Sequence, residues 1–244
     1  PPATGESRES SERRFRAEYD ILIRCRHDHV IGAIGWDCSP GAHCFVALQF
    51  CPGGTLLARI EQRPLTEDEC RLAFHQVALA IAFLHERGVA HRDVKPDNVL
   101  MTTRDDVTRG LKLADFGLAC SGRREMYDRL GTPSYAAPEL AAKFNPANDT
   151  AAPYTNKVDV WALGVSIYLA TAERFPFGSG SREIFHEPVW CQRSPHVAQL
   201  LDACFEFDPA NRLSAADVLE HPWFDDLCRR RRGFFNRVKS LVGG

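Results

Sequence analysis

Residues 157–172 read KVDVWALGVSIYLATA and are apolar nearly all round. A helix with no polar face cannot lie on a surface; it belongs in an interior. No apolar run in the chain approaches the roughly 20 residues that a membrane span needs. This segment must therefore be surrounded by other protein, and the rest of the chain must supply a shell of one-sided elements around it. The material is there. The chain has 244 residues, 44% of them hydrophobic and 25% charged, which is ordinary for a globular protein of one or two domains.

The shell is legible in part. The clearest element is LTEDECRLAFHQVALAIAFLHERG, where Thr66 and Glu69 form a capping-box pattern. Leu72, Val77, Ile81 and Leu84 supply its apolar stripe, and Gly88 is a good stop. SERRFRAEYDILIRC places Phe15, Tyr19, Leu22 and Ile23 at helical spacing. CFVALQF, ended by CPGG, reads as a buried strand running into a turn. SAADVLEHPWF starts with a cap at Ser214 and stops at Pro222. Residues 1–11 are small, polar and turn-forming, and read as loop or disorder. Helices dominate from Thr66 onward, and no internal repeat is visible.

Several classes are disfavoured. The formal net charge is -2, so no global field points to nucleic acid or to a membrane surface. The nine cysteines are scattered, with no C-x-x-C pair, which reads as reduced thiols in a cytoplasmic or nuclear protein. The opening residues do not read as a signal peptide. The first residue is Pro1 rather than Met, which reads as a processed or incomplete product.

The chemistry is concentrated in AHRDVKPDNVL, residues 90–100, a charged stretch between apolar runs. His91, Arg92 and Asp93 are followed by Lys95, the first lysine in the chain, and by Asn98. Further on, LKLADFGLA puts Asp115 at the end of a short apolar strand, before Phe116 and Gly117. One Asp can orient a hydroxyl and accept its proton. An Asp and an Asn together can hold magnesium, which takes hard oxygen ligands and few protein groups. Phosphoryl transfer needs little beyond such positioning and charge neutralisation.

Those motifs resemble the eukaryotic protein kinase family, whose signature is H-R-D with an Asn five residues after the Asp, then D-F-G, then A-P-E. Here they are His91-Arg92-Asp93 with Asn98, Asp115-Phe116-Gly117, and Ala137-Pro138-Glu139. The segment from Gly131 to Tyr135 resembles the one that seats the acceptor residue, with Thr132 in it. Asp159-V-Trp161-A-L-Gly164 resembles the buried helix under the catalytic loop, and Arg212 matches the arginine that pairs with Glu139. The resemblance runs from about Glu18 to Phe224. It is nearest to the calcium/calmodulin-dependent kinase group, and GTPSYAAPE with an acid upstream is similar to the phosphorylase-kinase catalytic subunit.

The resemblance implies an α+β, two-lobed fold with a truncated small lobe (helix C, the following strands and the hinge only) and a complete, mainly helical large lobe. The expected divisions are 1–52 for the residual small lobe, 53–224 for the large lobe and 225–244 for a basic tail. It implies serine/threonine phosphoryl transfer from ATP with Mg2+ to a protein substrate. Asp93 would be the catalytic base and Lys95 would stabilise the transferring phosphate. Asn98 and Asp115 would hold magnesium. Leu48, Gln49 and Cys51 would form the hinge facing adenine, and Leu100 would help floor its pocket. Glu18 falls where the helix-C glutamate sits, and Asp159 anchors backbone rather than acting as an acid. Asp128 stands where many relatives carry the activating phosphothreonine, so it is expected either to pair with Arg92 or to be a solvated loop residue. Thr55 occupies a place where basophilic relatives often have an acid; Asp97 is the nearby acid for a basic residue upstream of the acceptor.

Two departures stand out. The 17 residues before Glu18 contain no G-x-G-x-x-G and no lysine, so the nucleotide-clamping lysine is missing from this sequence. Two readings follow: a fragment of an active serine/threonine kinase, or a noncatalytic pseudokinase scaffold with impaired ATP binding. The stretch from Phe177 to Leu201, in the region where the family docks substrates and partners, is short and weakly helical. The tail CRRRRGFFNRVKSLVGG is basic with apolar residues at roughly helical spacing. It reads either as a calmodulin-target or membrane-surface helix, binding calmodulin or another regulatory partner, or as a solvated extension packed on the large lobe.

Overall fold

The computed structural model describes residues 8–39, 43–122, 126–128, 130–144, 153–177 and 194–225. The chain begins with helix α1 (Arg8–Arg24). Residues 8–11, expected as loop, are its first turn. Glu9 sits favourably at the N-terminus and Arg13 reaches back to it, while the Arg8 guanidinium donates to the Cys38 carbonyl at 2.9 Å. α1 buries Ile21 and Leu22, but Ile23 is 37% exposed rather than part of the stripe. The rotation of about 100° per residue explains this: Ile21, Leu22 and Cys25 share the inner face, and Ile23 is carried past it.

Strands β1 (Ala33–Asp37) and β2 (Phe45–Leu48) form an antiparallel pair with a bulge between Ala33 and Gly35. α1 packs on β1, with the rings of Tyr19 and Trp36 6.4 Å apart. Among the described residues this sheet has two strands. β2 was expected to be buried; instead Phe45 is 52% exposed and none of its residues is fully buried. An apolar run becomes a buried strand only if something covers it, and no described element covers the outer side. The cysteines also need a correction. Where the chain turns back between β1 and β2, Cys38 and Cys44 come together and are bonded. Among the described residues, Cys25, Cys51, Cys70, Cys120 and Cys204 are not disulfide-bonded.

The body is helical. After β2, Gln49 N–H bonds to the Gly32 carbonyl, and Gly53 and Gly54 bond to Met101, tying the linker to strand β4 (Val99–Met101). Helix α2 (Leu56–Gln62) starts at Thr55, whose hydroxyl accepts from Ala58 N–H. α3 (Glu67–Glu86) carries the expected capping box of Thr66 and Glu69. It buries Phe74, Val77, Ile81 and Leu84, with Leu72 half-buried at the edge of the stripe. Each such fully buried side chain contributes about 1.5–3 kcal/mol. Gly88, at φ 68°, ends the helix in the left-handed conformation that a non-glycine would resist. Short strands β3 (Val89–Ala90), β4, β5 (Leu111–Leu113) and β6 (Cys120–Ser121) pair as β3 with β6 and β4 with β5.

α5 (Lys157–Ala172) is the central helix its sequence demands: every residue is buried except Lys157, Leu169 and Ala172. α3 packs on it from one side and α6 (Pro195–Cys204) from another. A Cβ at Gly164 would lie 2.8 Å from the Cys204 Cβ, so the α5–α6 approach requires glycine there. α4 (Pro138–Phe144) and α7 (Ala215–Leu219) complete the body, the latter capped by a Ser214–Asp217 box. The expected α+β architecture is thus present, as a helix and small hairpin beside a mainly helical body. No helix among the described residues is long and apolar enough to cross a membrane. Most of the weakly helical stretch after Phe177 and the basic tail from 226 lie outside the described residues.

Candidate active site

The loop from His91 to Asn98 is suspended from α5. The buried Asp159 carboxylate accepts the backbone N–H of His91 at 2.8 Å and of Arg92 at 2.7 Å. It also meets His85 Nε2 at 2.8 Å, a partner that nothing local in the sequence marks. Burial alone would raise the Asp159 carboxyl, but His85, His91 and the backbone donor outweigh it and hold it below the usual carboxylate range. This anchoring matters because Arg92 has φ 69°, a left-handed conformation that a long side chain adopts only when its surroundings impose it. His91 is fully buried, contacts the Ala114 carbonyl at 3.0 Å and packs edge-on against Phe116 at 4.8 Å. It thereby joins the loop to the Asp115–Gly117 turn.

Three polar side chains converge on Asp93. Lys95 Nζ lies 2.9 Å from Asp93 Oδ2, and Asn98 Nδ2 donates to that same oxygen at 2.9 Å. The Thr132 hydroxyl donates to Asp93 Oδ1 at 2.7 Å and accepts from Lys95 Nζ at 2.7 Å. Burial pushes the Asp93 carboxyl upward, yet the bonds from Lys95, Thr132 and Asn98 prevail and hold it below its ordinary value. Asp93 is therefore ionised at neutral pH, an acceptor with its orientation fixed. Thr132 was expected as part of the acceptor segment, but its bridge between Asp93 and Lys95 is a tertiary fact with no local signal. Gly131 permits that approach: at φ 108°, its Cβ would lie 2.8 Å from the Arg92 carbonyl.

Asn98 spends its amide N–H on Asp93 and keeps its side-chain oxygen available. Asp115 is exposed, takes Gly117 N–H at 3.3 Å, and has φ 61°. The two present hard oxygen donors of the kind magnesium prefers. Asn98 O also receives Ala114 N–H at 2.8 Å, which fixes the loop beside the strand that delivers Asp115. Glu18 reaches the same turn from α1. Burial and the Asp115 charge raise its carboxyl, offset in part by the Phe116 N–H and by Arg14.

The hinge candidates lie where β2 runs into α2. Leu48 and Cys51 are half-buried and pack against the core, while Gln49 is exposed. Leu100, half-buried on β4, bridges to Thr55.

Asp128 meets Arg92: Nη1 donates to the carboxylate at 2.9 Å, while Nε donates to the Leu118 carbonyl at 2.6 Å. Tyr154, which the sequence did not single out, completes the group. Its hydroxyl accepts from Arg92 at 3.2 Å and donates to the Asp128 carbonyl at 3.2 Å, and its backbone exchanges two hydrogen bonds with Met126. Below this segment, Glu139 receives both ends of the Arg212 guanidinium at 2.7 and 3.0 Å, with Arg212 fully buried under Trp161.

Residues 3–224 match the model of the family described as Protein kinase domain. The maternal embryonic leucine zipper kinase of Xenopus tropicalis is 33% identical over 224 residues, 86% of this chain and 32% of that protein. The ovarian-specific serine/threonine-protein kinase Lok of Drosophila melanogaster is 36% identical over 75% of this chain and 40% of its own length. The calcium/calmodulin-dependent protein kinase cmkA of Emericella nidulans is 32% identical over 95% of this chain and 57% of its own length. The chain thus spans between a third and somewhat over half of these relatives. It belongs to the protein kinase domain family.

Proposed function

We propose that the chain's site transfers the γ-phosphoryl group of ATP to a serine or threonine hydroxyl of a protein. The observation that carries this reading is the set around Asp93: an ionised carboxylate held by Lys95, Asn98 and the Thr132 hydroxyl. Asp93 orients the acceptor hydroxyl and takes its proton as the new O–P bond forms. Lys95, now paired with Asp93 and Thr132, places its ammonium where charge develops on the transferred group. Asn98 and Asp115 would hold Mg2+, which supplies charge neutralisation on the phosphate oxygens when bound. Leu48, Gln49, Cys51 and Leu100 would contact the adenine. Arg92 and Asp128 fix the loop that faces the acceptor.

A second reading, a noncatalytic scaffold, is favoured by one observation. The charged groups facing Glu18 are Asp115 and Arg14, so no ammonium clamps the phosphates from that side among the described residues. Phosphate transfer from labelled ATP to a serine peptide, measured with the chain and its Asp93→Asn variant, separates the two. Transfer lost in the variant supports the enzyme. Absence of transfer together with no Mg-ATP shift in melting temperature supports the scaffold, because a ligand that binds the native state must stabilise it.

A further inference from the structure

α1 passes into the helical body through a short turn, residues 25–31. The turn starts where the Cys25 N–H closes α1 on the Ile21 carbonyl at 2.9 Å. It ends against β5: the Ile31 N–H donates to the Leu113 carbonyl and the Leu113 N–H to the His29 carbonyl, both at 2.9 Å. β5 leads directly to Asp115, and α1 carries Glu18, whose carboxylate takes the Phe116 N–H. The turn is thus the link between α1 and the strand that delivers Asp115.

Two histidines hold this turn, and they differ in what a proton does to them. His29 Nδ1 lies 3.1 Å from the Leu111 carbonyl. A carbonyl only accepts, so that nitrogen carries a hydrogen whether the ring is neutral or charged. His27 is the reverse: its Nδ1 accepts the His29 backbone N–H at 3.1 Å, which it can do only while it carries no proton. The half-buried His27 ring is stacked on Phe83 of α3, with centroids 4.6 Å apart and 29° between the planes. The groups that face it are His29 in the turn, Lys112 on β5, Arg87 just past α3, and the exposed carboxylate of Asp28. The Phe83 ring already carries the Arg87 guanidinium at 3.7 Å, so it is a poor seat for a second cation. Burial first, then His29, with Lys112 and Arg87 adding and Asp28 opposing, holds the His27 imidazole below its ordinary 6.5.

We infer that the His27–His29 turn is a proton-operated latch: neutral His27 holds the turn that joins α1 to β5, and a proton on its Nδ1 releases it. The proton comes from solvent and takes the lone pair that the His29 N–H was using. That N–H is left without its acceptor, and a new cation faces Lys112 and Arg87. Above about 6.5 the group is neutral in both the folded and the unfolded chain. Below it the unfolded chain takes up the proton first, so the hold weakens as pH falls through the folded value. The latch is closed near neutrality and opens in acid, in the range where histidine switches operate. Its release loosens the seat of α1, and with it the contact of Glu18 with the Phe116 N–H. The latch is a property of the turn and holds whether or not the chain transfers phosphate.

The test is amide hydrogen exchange on the whole chain at about pH 7.5 and about pH 5.5, corrected for the intrinsic exchange rate at each pH. Opening of residues 25–31 should grow roughly three- to tenfold on acidification, while residues 157–172 of the central helix stay protected. His27→Asn supplies the control. An asparagine oxygen accepts the backbone N–H two residues on, as His27 does, and does not titrate, so the acid response of the turn should vanish. No acid response in the wild type overturns the latch, as does a response of equal size in His27→Asn. Equal acid opening of residues 157–172 also overturns it, since that is general acid unfolding. A second measurement needs no variant: nitrogen-15 NMR of the wild-type imidazoles near neutral pH should find the His27 hydrogen on Nε2, and a hydrogen on Nδ1 overturns the latch.

Discussion

Arg92 and Asp128 form an ion pair 2.9 Å long in which one partner is nearly buried and the other is not: the side chains are 6% and 63% exposed. The pair links the segment after β6 to the loop carrying Asp93. A pair with one partner this exposed is worth about 0.2–1 kcal/mol. Asp128→Ala should therefore leave the melting temperature nearly unchanged and lower kcat/KM by roughly two- to fivefold. Asp128→Glu should restore most of it. Unchanged activity and loop order in Asp128→Ala would show that the segment is held without this contact.

Thr132 gives a sharper expectation. Its hydroxyl stabilises the ionised Asp93 and receives Lys95. Thr132→Ala should lower kcat by about ten- to a hundredfold, the effect of losing a hydrogen bond to a charged group, while Thr132→Ser keeps most activity. Removing a donor from a carboxylate raises its pKa. The acidic limb of the pH–rate profile should accordingly move to higher pH in Thr132→Ala, and stay in place in Thr132→Ser. An alanine variant with an unmoved limb would detach Thr132 from the ionisation of Asp93.

At the start of α3, hydrogen bonds from Arg63 and the Thr66 cap lower the Glu69 carboxyl from 4.5 to about 2. A depressed folded-state pKa stabilises above the unfolded value and loses that contribution as pH falls through the folded one. The contribution is thus complete near neutrality and disappears between about pH 4.5 and 2. Glu69→Gln should lower stability at pH 7 by about 0.5–2 kcal/mol, as a lost cap does. In urea unfolding, the gap between variant and wild type should close across that acid window; a pH-independent gap would point to packing instead.

Arg212 has the largest expected effect on folding. Its guanidinium is fully buried, bonds twice to Glu139, and also reaches the carbonyls of Glu206 and Lys157. Arg212→Ala leaves Glu139 without its cation and should cost about 3–5 kcal/mol. Calorimetry should show loss of a cooperative transition or a large drop in its midpoint. A loss below about 1 kcal/mol would place the pair among the weak surface interactions.

What the sequence revealed, and what it hid, follows from how far apart the partners are along the chain. The Thr66 and Ser214 caps bond three residues ahead, so their spacing is readable. His91 to Asn98 and Asp115 to Gly117 are contiguous and carry their chemistry in order. Thr132 meets Asp93 across 39 residues, and Tyr154 meets Arg92 across 62, so neither contact has a local signature. Glu173 ends α5 in the left-handed conformation, at φ 58°, where Gly or Asn would have announced a helix stop. β2 was misread because an apolar run does not say whether anything covers it. Cys38 and Cys44 are six residues apart, and only the β1–β2 turn makes them neighbours.

Asp159 shows how this arrangement divides its labour. The carboxylate that shapes the His91–Arg92 backbone belongs to the central helix, remote from β1 and β2 in the chain. The groups around Asp93 are likewise drawn from the helical body. Under the proposed function, the positioning of the acceptor hydroxyl therefore rests on the helical body alone, and a lesion in the β1–β2 hairpin should leave the contacts of Asp93 with Lys95 and Thr132 in place.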